Sequence, residues 1–200
     1  MRLFSIPPPF SFAVFIFGAV VGSFLNVCIA RLPKGESVVS PPSHCRLFKA
    51  PIPFYDNIPL ISYLLLRGRC RSCGVGFSPR YLLVEAGFGM LACATYALCL
   101  DALFVSDPVP RRLARFSAYV LFELVLVVIA FIDLDHKKIP DRITYPAIPF
   151  FFLVGQLVGD RTLFDSAIGV VVGYGIIRGV SDGYYYLTGR EGLGYGDGKL

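Results

Sequence analysis

Two aspartates far apart in the chain carry the clearest chemical signal in this sequence. Asp133 directly follows an apolar segment, and Asp197 lies in Gly194-Tyr195-Gly196-Asp197-Gly198-Lys199. Two carboxyl groups held close together cannot both ionise, so they share one proton, and one can act as a general base on water while the other protonates a carbonyl oxygen. This is the chemistry of aspartic proteases, and it suits hydrolysis of a peptide. The flanking glycines lack a Cβ, so a substrate backbone could approach Asp197 closely.

The composition decides which class of protein must position these residues. The chain has 200 residues, of which 55% are hydrophobic and 16% are charged, and its mean hydropathy is +0.64. Soluble domains carry about 25% charged residues. The composition therefore excludes an ordinary soluble enzyme, a disordered protein and a nucleic-acid-binding protein with a solvated surface. It predicts a polytopic membrane protein.

Five apolar segments are predicted to be membrane-spanning helices, because about 20 uncharged residues are needed to cross a bilayer. They cover residues 10–30, 81–105, 113–132, 143–158 and 165–187. The first is expected to be a retained helix rather than a cleaved signal. The predicted fold is therefore all-α, with about five transmembrane helices and a polar, Cys-containing loop after the first. We expect two regions, 1–105 with the loop and 106–200 with both aspartates.

The distribution of basic residues predicts the orientation. Residues 31–80 hold eight Lys/Arg against two acidic residues, which indicates a cytoplasmic loop. With the N-terminus outside, the inner loops hold thirteen Lys/Arg and the outer segments hold five. Arg111, Arg112 and Arg115 argue weakly against this orientation. A basic surface for an acidic partner is the alternative explanation of the loop.

The predicted topology places Asp133 and Asp197 on the same, cytoplasmic side of the membrane. Ionisable groups at a membrane boundary are costly and are candidates for a functional site. The alternative is that both are interfacial acids neutralised by nearby lysines, namely Lys137, Lys138 and Lys199. On these features alone, both interpretations stay open.

The ordered motifs of the chain resemble those of the bacterial prepilin peptidases, also called type IV leader peptidases. The resemblance begins with Gly22-Ser23-Phe24-Leu25-Asn26-Val27 and Arg31-Leu32-Pro33. It continues through the loop with Pro42-Ser43-His44-Cys45, Asn57-Ile58-Pro59, Ser62, Gly68-Arg69-Cys70-Arg71-Ser72-Cys73, Ser78-Pro79-Arg80-Tyr81 and Glu85. It ends with Ile132-Asp133-Leu134-Asp135, Ile139-Pro140-Asp141, Thr144 and Gly194–Leu200.

The resemblance implies an inner-membrane GxGD aspartyl peptidase. Such enzymes cleave the leader of type IV prepilins and type II secretion pseudopilins on the cytoplasmic side, after a Gly. Many then methylate the new N-terminus with S-adenosylmethionine. Asp133 and Asp197 carry over as the catalytic pair. Substrate-binding or supporting roles carry over to Asp135, Asp141, Gly194, Gly196, Lys199 and Glu85. The expected partners are prepilins or pseudopilins and the lipid bilayer, with no nucleic acid.

The cysteines of the loop suggest a zinc site that departs from the family pattern. The common pattern has C-x-x-C twice, which gives four thiolates for zinc. Here Cys70 and Cys73 form one pair, whereas Cys45 has Phe48 in place of the second thiol. His44 is a candidate fourth ligand, although adjacent residues seldom bind one ion well. The methyltransferase expectation depends on the same loop.

A second departure concerns the end of the sequence. Family members usually continue past the GxGD motif with further helices, so the chain is expected to lack the C-terminal helices and to cleave slowly. Two alternatives to an active peptidase follow from these departures. One is a truncated, inactive relative that binds prepilins, and the other is a zinc-ribbon membrane scaffold without catalysis.

Overall fold

The structure, a computed structural model, describes residues 8–45, 48, 51–104, 106–159 and 162–189. Within these ranges the α-helices are α1 (Pro8–Arg31), α2 (Ile61–Leu65), α3 (Arg80–Ala97), α4 (Val109–His136), α5 (Asp141–Val158) and α6 (Leu163–Thr188). Short 3-10 turns cover Leu32–Lys34 and Phe54–Asn57, and a π-helical turn, Leu98–Ala102, follows α3. No strand forms in this part of the chain, so the predicted all-α class is confirmed.

Four of the described helices are long and apolar enough to cross a membrane, which confirms the prediction of a polytopic membrane protein. These spans are Phe10–Lys34, Arg80–Leu100, Val109–His136 and Leu163–Thr188. The fourth predicted span, residues 143–158, is also helical, as α5, but it falls outside this group. Its first turn carries Asp141 and Arg142, so its uncharged part is shorter than the roughly 20 residues of a typical span.

The chain forms two compact units, residues 1–128 and 129–200. In the first unit, α1 and α3 form an antiparallel hairpin with very close backbones. A Cβ added at Gly18 would lie 2.8 Å from Gly89 Cα, and one at Gly22 would lie 2.8 Å from Glu85 Cα. Asn26 Nδ2 also donates to the Tyr81 carbonyl oxygen over 3.2 Å. Small residues and one polar side chain thus hold these helices together, as is common within membranes.

Gly22→Leu is expected to destabilise the hairpin, because the new side chain would meet the backbone of α3, which cannot rotate away. Overpacking of this kind costs about 1–3 kcal/mol. Gly87→Leu is the matched control, since a Cβ at Gly87 has nothing within 4 Å. The measurement is thermal unfolding of both variants in the same detergent. Equal melting temperatures would contradict the close α1–α3 contact.

Polar side chains also connect α3 to α4 within the first unit. The Thr95 hydroxyl donates to the Glu123 carboxylate. Arg115 is buried, forms an ion pair with Asp107 and lies over the ring of Phe104, with its Cζ 4.1 Å from the ring centroid. The carboxylate within α4 therefore has a hydroxyl partner on α3, and Arg115 holds the segment between the two helices against the start of α4.

In the second unit, short loops join the end of α4 to α5 and α5 to α6. Lys137 adopts the left-handed region, with φ of 54°, and its N–H donates to the Asp133 carbonyl oxygen over 2.7 Å, which ends α4. At the start of α6, Thr162 and Asp165 form a reciprocal capping box. Gln156 Nε2 donates to Ser166 Oγ over 2.6 Å and so joins α5 to α6.

Candidate functional site

Asp133, the first predicted catalytic residue, lies in the last turn of α4 and is half-buried. Asp135 is two residues further on and exposed. Asp141 is the first residue of α5 and is also exposed. The turn between α4 and α5 therefore brings three acidic residues of the first predicted motif to one end of the second unit.

The second predicted motif cannot be placed against this turn. Its four predicted site residues lie outside the described residues: Gly194, Gly196, Asp197 and Lys199. The pairing of Asp133 with Asp197 therefore stays a prediction.

The position of Asp133 is unfavourable for helix stability. The C-terminal end of a helix carries a partial negative charge, so carboxylates are stabilising at the N-terminus and destabilising in the last turn. Asp133 and Asp135 both occupy the last turn of α4, with His136 as the one basic residue there. Helix formation alone does not account for two acids at this end.

The cysteine cluster is the second candidate site, and the structure assembles it as the sequence predicts. The Sγ atoms of Cys45, Cys70 and Cys73 all lie within 4.8 Å of one another, and those of Cys45 and Cys73 are 3.3 Å apart. Cys45 and Cys70 are buried. Residues from two parts of the loop thus converge on one point.

Two antiparallel backbone bridges lie beside these thiols. One joins His44 to Pro51, next to Cys45, and the other joins Arg69 to Gly76, next to Cys70. Within the second bridge the Cys70 N–H donates to the Val75 carbonyl oxygen over 2.8 Å. Gly74 has φ of 70°, which glycine adopts without strain. The second bridge therefore closes a tight turn that holds Cys70 and Cys73 near each other.

The spacing of the three thiols fits a bound zinc ion, but they provide only three of the four ligands of a tetrahedral site. Tetrahedral zinc with Zn–S bonds of about 2.3 Å places its sulfur atoms about 3.8 Å apart, which falls within the observed spacing. His44 is not part of the group, and its Nδ1 lies 3.0 Å from the Pro42 carbonyl oxygen. Phe48 is 73% exposed at the position where C-x-x-C would supply a fourth thiolate.

Two groups at the cysteine cluster have shifted pKa values, the thiol of Cys73 and the neighbouring carboxyl of Asp56. The pKa of Cys73 is lowered by a hydrogen bond with the backbone of Val75, but hydrogen bonds with Cys45 and Cys70 and partial burial raise it above its ordinary value overall. Beside it, the Arg71 guanidinium donates to both oxygens of Asp56 over 2.7–3.1 Å. These bonds hold the pKa of Asp56 below its usual range. This bidentate ion pair joins the turn at residues 70–73 to the Phe54–Asn57 segment. The sequence did not predict that Asp56 and Arg71 would pair.

Glu85 joins the loop to α3. Its side chain is buried, with 8% of the residue exposed, and Oε2 accepts the Leu60 N–H over 2.8 Å. Leu60 has φ of 62° and ψ of −51°, and the Ile61 N–H donates to the Pro59 carbonyl oxygen, which forms a strained γ-turn. The predicted supporting residue therefore holds the backbone of a distant segment, 25 positions earlier in the chain.

Phe48→Cys is expected to raise zinc retention by completing a four-thiolate site. An increase of at least about tenfold in zinc affinity is expected, the scale on which even supporting groups change metal affinity. Phe48→Ser is the matched control, because it removes the ring without adding a thiol. The measurement is zinc per protein after dialysis against a chelator. One retained equivalent in the unsubstituted protein would show that another residue completes the site.

The spans, the acidic turn after α4 and the thiol cluster together define a polytopic membrane protein with a three-cysteine cluster in its loop and an acidic motif at a helix end. Residues 16–99 match the sequence model of the Bacterial Peptidase A24 N-terminal domain, and residues 120–200 match that of the Type IV leader peptidase family. The chain belongs to the type IV leader peptidase family, which is a family of prepilin peptidase enzymes. No solved structure matches the chain.

Individual relatives agree with this assignment. The chain is 40% identical to a prepilin leader peptidase/N-methyltransferase of Myxococcus xanthus, over 96% of the chain and 54% of the relative. It is 37% identical to one from Aeromonas hydrophila, over 94% of the chain and 69% of that relative. It is 34% identical to one from Klebsiella pneumoniae, over 98% of the chain and 85% of that relative. The chain thus spans between about half and most of the length of these relatives.

Proposed function

We propose that this protein cleaves the leader peptide of type IV prepilins or type II secretion pseudopilins after a Gly, on the cytoplasmic side of the bacterial inner membrane. The observation that carries the proposal is the placement of Asp133 in the last turn of α4, within the region that matches the peptidase family. In this proposal residues 106–200 carry the peptidase, and residues 1–105 carry the cysteine loop.

The proposed reaction uses Asp133 and Asp197 as one acid–base pair. The ionised carboxylate removes a proton from water, and the hydroxide formed attacks the scissile carbonyl carbon. The protonated partner donates its proton to the carbonyl oxygen. As the tetrahedral intermediate collapses, the carboxyl that took the proton from water passes it to the leaving nitrogen, and one hydroxyl of the intermediate returns a proton to the partner. Because the two carboxyls share one proton, they titrate together as a pair.

Supporting roles are proposed for the other predicted residues. Gly194 and Gly196 leave room for the substrate backbone beside Asp197, and Asp135, Asp141 and Lys199 orient the two motifs. Glu85 supports the site indirectly by holding the loop against α3. The cysteine cluster, formed by Cys45, Cys70 and Cys73, would bind zinc; because His44, the predicted fourth ligand, lies outside this group, water would fill the fourth position.

N-methylation of the new N-terminus is the second candidate activity, with S-adenosylmethionine as the methyl donor. The observation that favours it is the match of residues 16–99 together with the names of the relatives, which include N-methyltransferase. A bound zinc would fold the loop, because the three thiolates that would hold it come from two separate parts of the loop.

The test is co-expression with a prepilin in a bacterium whose own prepilin peptidase gene has been deleted. Removal of the leader is followed by gel mobility, and the new N-terminus is read by mass spectrometry. We expect cleavage, and a mass increase of one methyl group if the second activity is present. An unprocessed prepilin that co-purifies with the chain would instead support an inactive, prepilin-binding relative.

A further inference from the structure

An uncharged segment lies inside the otherwise polar loop. Residues 57–66, Asn-Ile-Pro-Leu-Ile-Ser-Tyr-Leu-Leu-Leu, contain no charge and are bounded by Asp56 and Arg67. The segment is too short to cross a bilayer, and apolar runs of about this length are typical of buried core helices or of interfacial and re-entrant segments. It includes the γ-turn at Leu60 and the helix α2.

The contact with Glu85 places this segment at the depth of the membrane spans. Gly22 lies against Glu85 and precedes Arg31, the charged last residue of α1, by nine residues, or about 13 Å of helix. Glu85 itself follows Arg80, the charged first residue of α3, by five residues, or about 7 Å of helix, so the Leu60 N–H that it binds lies at or below the level of Arg80. Interfacial helices bury their apolar faces about 5–10 Å deep.

The side chains of the segment are apolar and turned away from the protein. Ile61 is 52% exposed, Leu64 is 65% exposed and Leu65 is 77% exposed. By contrast, Ser62 is buried and anchors the segment, since its hydroxyl accepts the Ile58 N–H and donates to the Tyr55 carbonyl oxygen, each over 3.0 Å. The protein thus fixes one side of the segment and leaves its apolar side uncovered close to the start of α3.

We propose that residues 58–66 form a re-entrant element, with α2 inserted into the phospholipid layer beside the α1–α3 hairpin. Leu83 of α3, which is 68% exposed and lies two residues before Glu85, is a further exposed apolar side chain at a similar depth. Arg67 and Arg69 follow directly and are exposed, where they would meet anionic phosphates at the surface. The element would hold the cysteine cluster close to the membrane through the Asp56–Arg71 pair.

The test uses the absence of tryptophan from the chain, which makes any introduced indole a single reporter. Leu64→Trp and, independently, Leu65→Trp are reconstituted into vesicles of phosphatidylethanolamine and phosphatidylglycerol. Emission is measured with acyl-brominated phosphatidylglycerol in the membrane and, separately, with iodide in the buffer. We expect both indoles to lose most of their emission to the brominated lipid and to be shielded from iodide.

Two further variants calibrate the measurement. Leu83→Trp, on the exposed side of a span, gives the response of an indole in lipid, and Phe48→Trp gives that of an exposed loop position beside the cysteine cluster. Quenching of the α2 indoles by iodide alone, as strongly as at position 48, would overturn the proposal. Shielding from both quenchers would also overturn it, because a protein surface and not lipid would then cover α2.

Discussion

Asp133→Asn is expected to abolish leader cleavage while the protein still inserts into the membrane. The amide keeps the size of the side chain but cannot ionise, so the pair loses the group that shares its proton. Loss of one general acid–base residue lowers rates by a factor of about 100 to 10,000. The measurement is the rate of prepilin processing at matched membrane levels of the two proteins.

Asp135→Asn is the matched control, because it makes the same chemical change two residues along the same helix turn, at an exposed position. Because Asp135 only orients the motif in the proposed mechanism, we expect its substitution to lower the rate much less than Asp133→Asn does. Both variants remove a negative charge from the last turn of α4, where such a charge is unfavourable by about 0.3–1 kcal/mol. Neither should therefore lower the melting temperature, which separates loss of catalysis from loss of folding.

The comparison of the two variants decides the role of Asp133. Normal processing by Asp133→Asn would remove this residue from the mechanism and favour its interpretation as an interfacial acid balanced by Lys137 and Lys138. Loss of activity in Asp135→Asn alone would move the catalytic role by two residues. Asp197→Asn provides the second half of the test, with the same expected loss.

The helices were predictable because their signal is the absence of charge over a long stretch. The segment predicted at 113–132 is helical, but α4 begins earlier, at Val109, and includes Arg111 and Arg112. Helices continue past the apolar layer into the interface, where charges are tolerated, so hydropathy underestimates their length. The spacing of Gly18 and Gly22 was a readable signal for close helix packing, although it does not specify which helix is the partner.

The loop was less predictable, since its structure depends on contacts between distant residues. No local pattern indicates that the Glu85 carboxylate accepts the Leu60 N–H, or that Asp56 pairs with Arg71. Cys45, Cys70 and Cys73 were expected to form one site because they share one loop and resemble the family's zinc-binding cysteines, and their sulfur atoms do lie together. The uncharged run at 57–66 was visible in the sequence, but it was treated as part of the basic loop, residues 31–80.

The second prediction with a large expected effect is that α5 crosses the membrane, because the proposed active site depends on this crossing. If α1, α3, α4 and α6 alone cross the membrane, the ends of α4 and α6 emerge on opposite sides. Asp133 and Asp197 then cannot meet. A crossing by α5 returns the chain to the other side first, so both aspartates face the cytoplasm. The proposed peptidase therefore requires α5 to be a membrane span, although its composition makes it a marginal one.

The physical case for α5 as a span is that its length is nearly sufficient. Eighteen residues give about 27 Å of helix, close to the roughly 30 Å thickness of the hydrocarbon layer. Arg142 in the first turn can extend its side chain to the surface, and small mismatches are accommodated by local thinning of the bilayer. Pro146 and Pro149 remove two helix hydrogen bonds, which membrane helices tolerate when neighbouring groups satisfy the freed carbonyls.

Cysteine labelling at the two ends of α5 gives an all-or-none result. Lys138→Cys lies before α5 and Gly159→Cys lies directly after it. With an impermeant thiol reagent, we expect Gly159→Cys to be labelled in intact cells, because this end faces outward in the proposed topology. Lys138→Cys should be labelled only after the membrane is opened, as should Cys45, Cys70 and Cys73 once metal is chelated. If positions 138 and 159 became accessible together, α5 would not cross the membrane, and the assignment of Asp133 and Asp197 to one catalytic pair would be wrong.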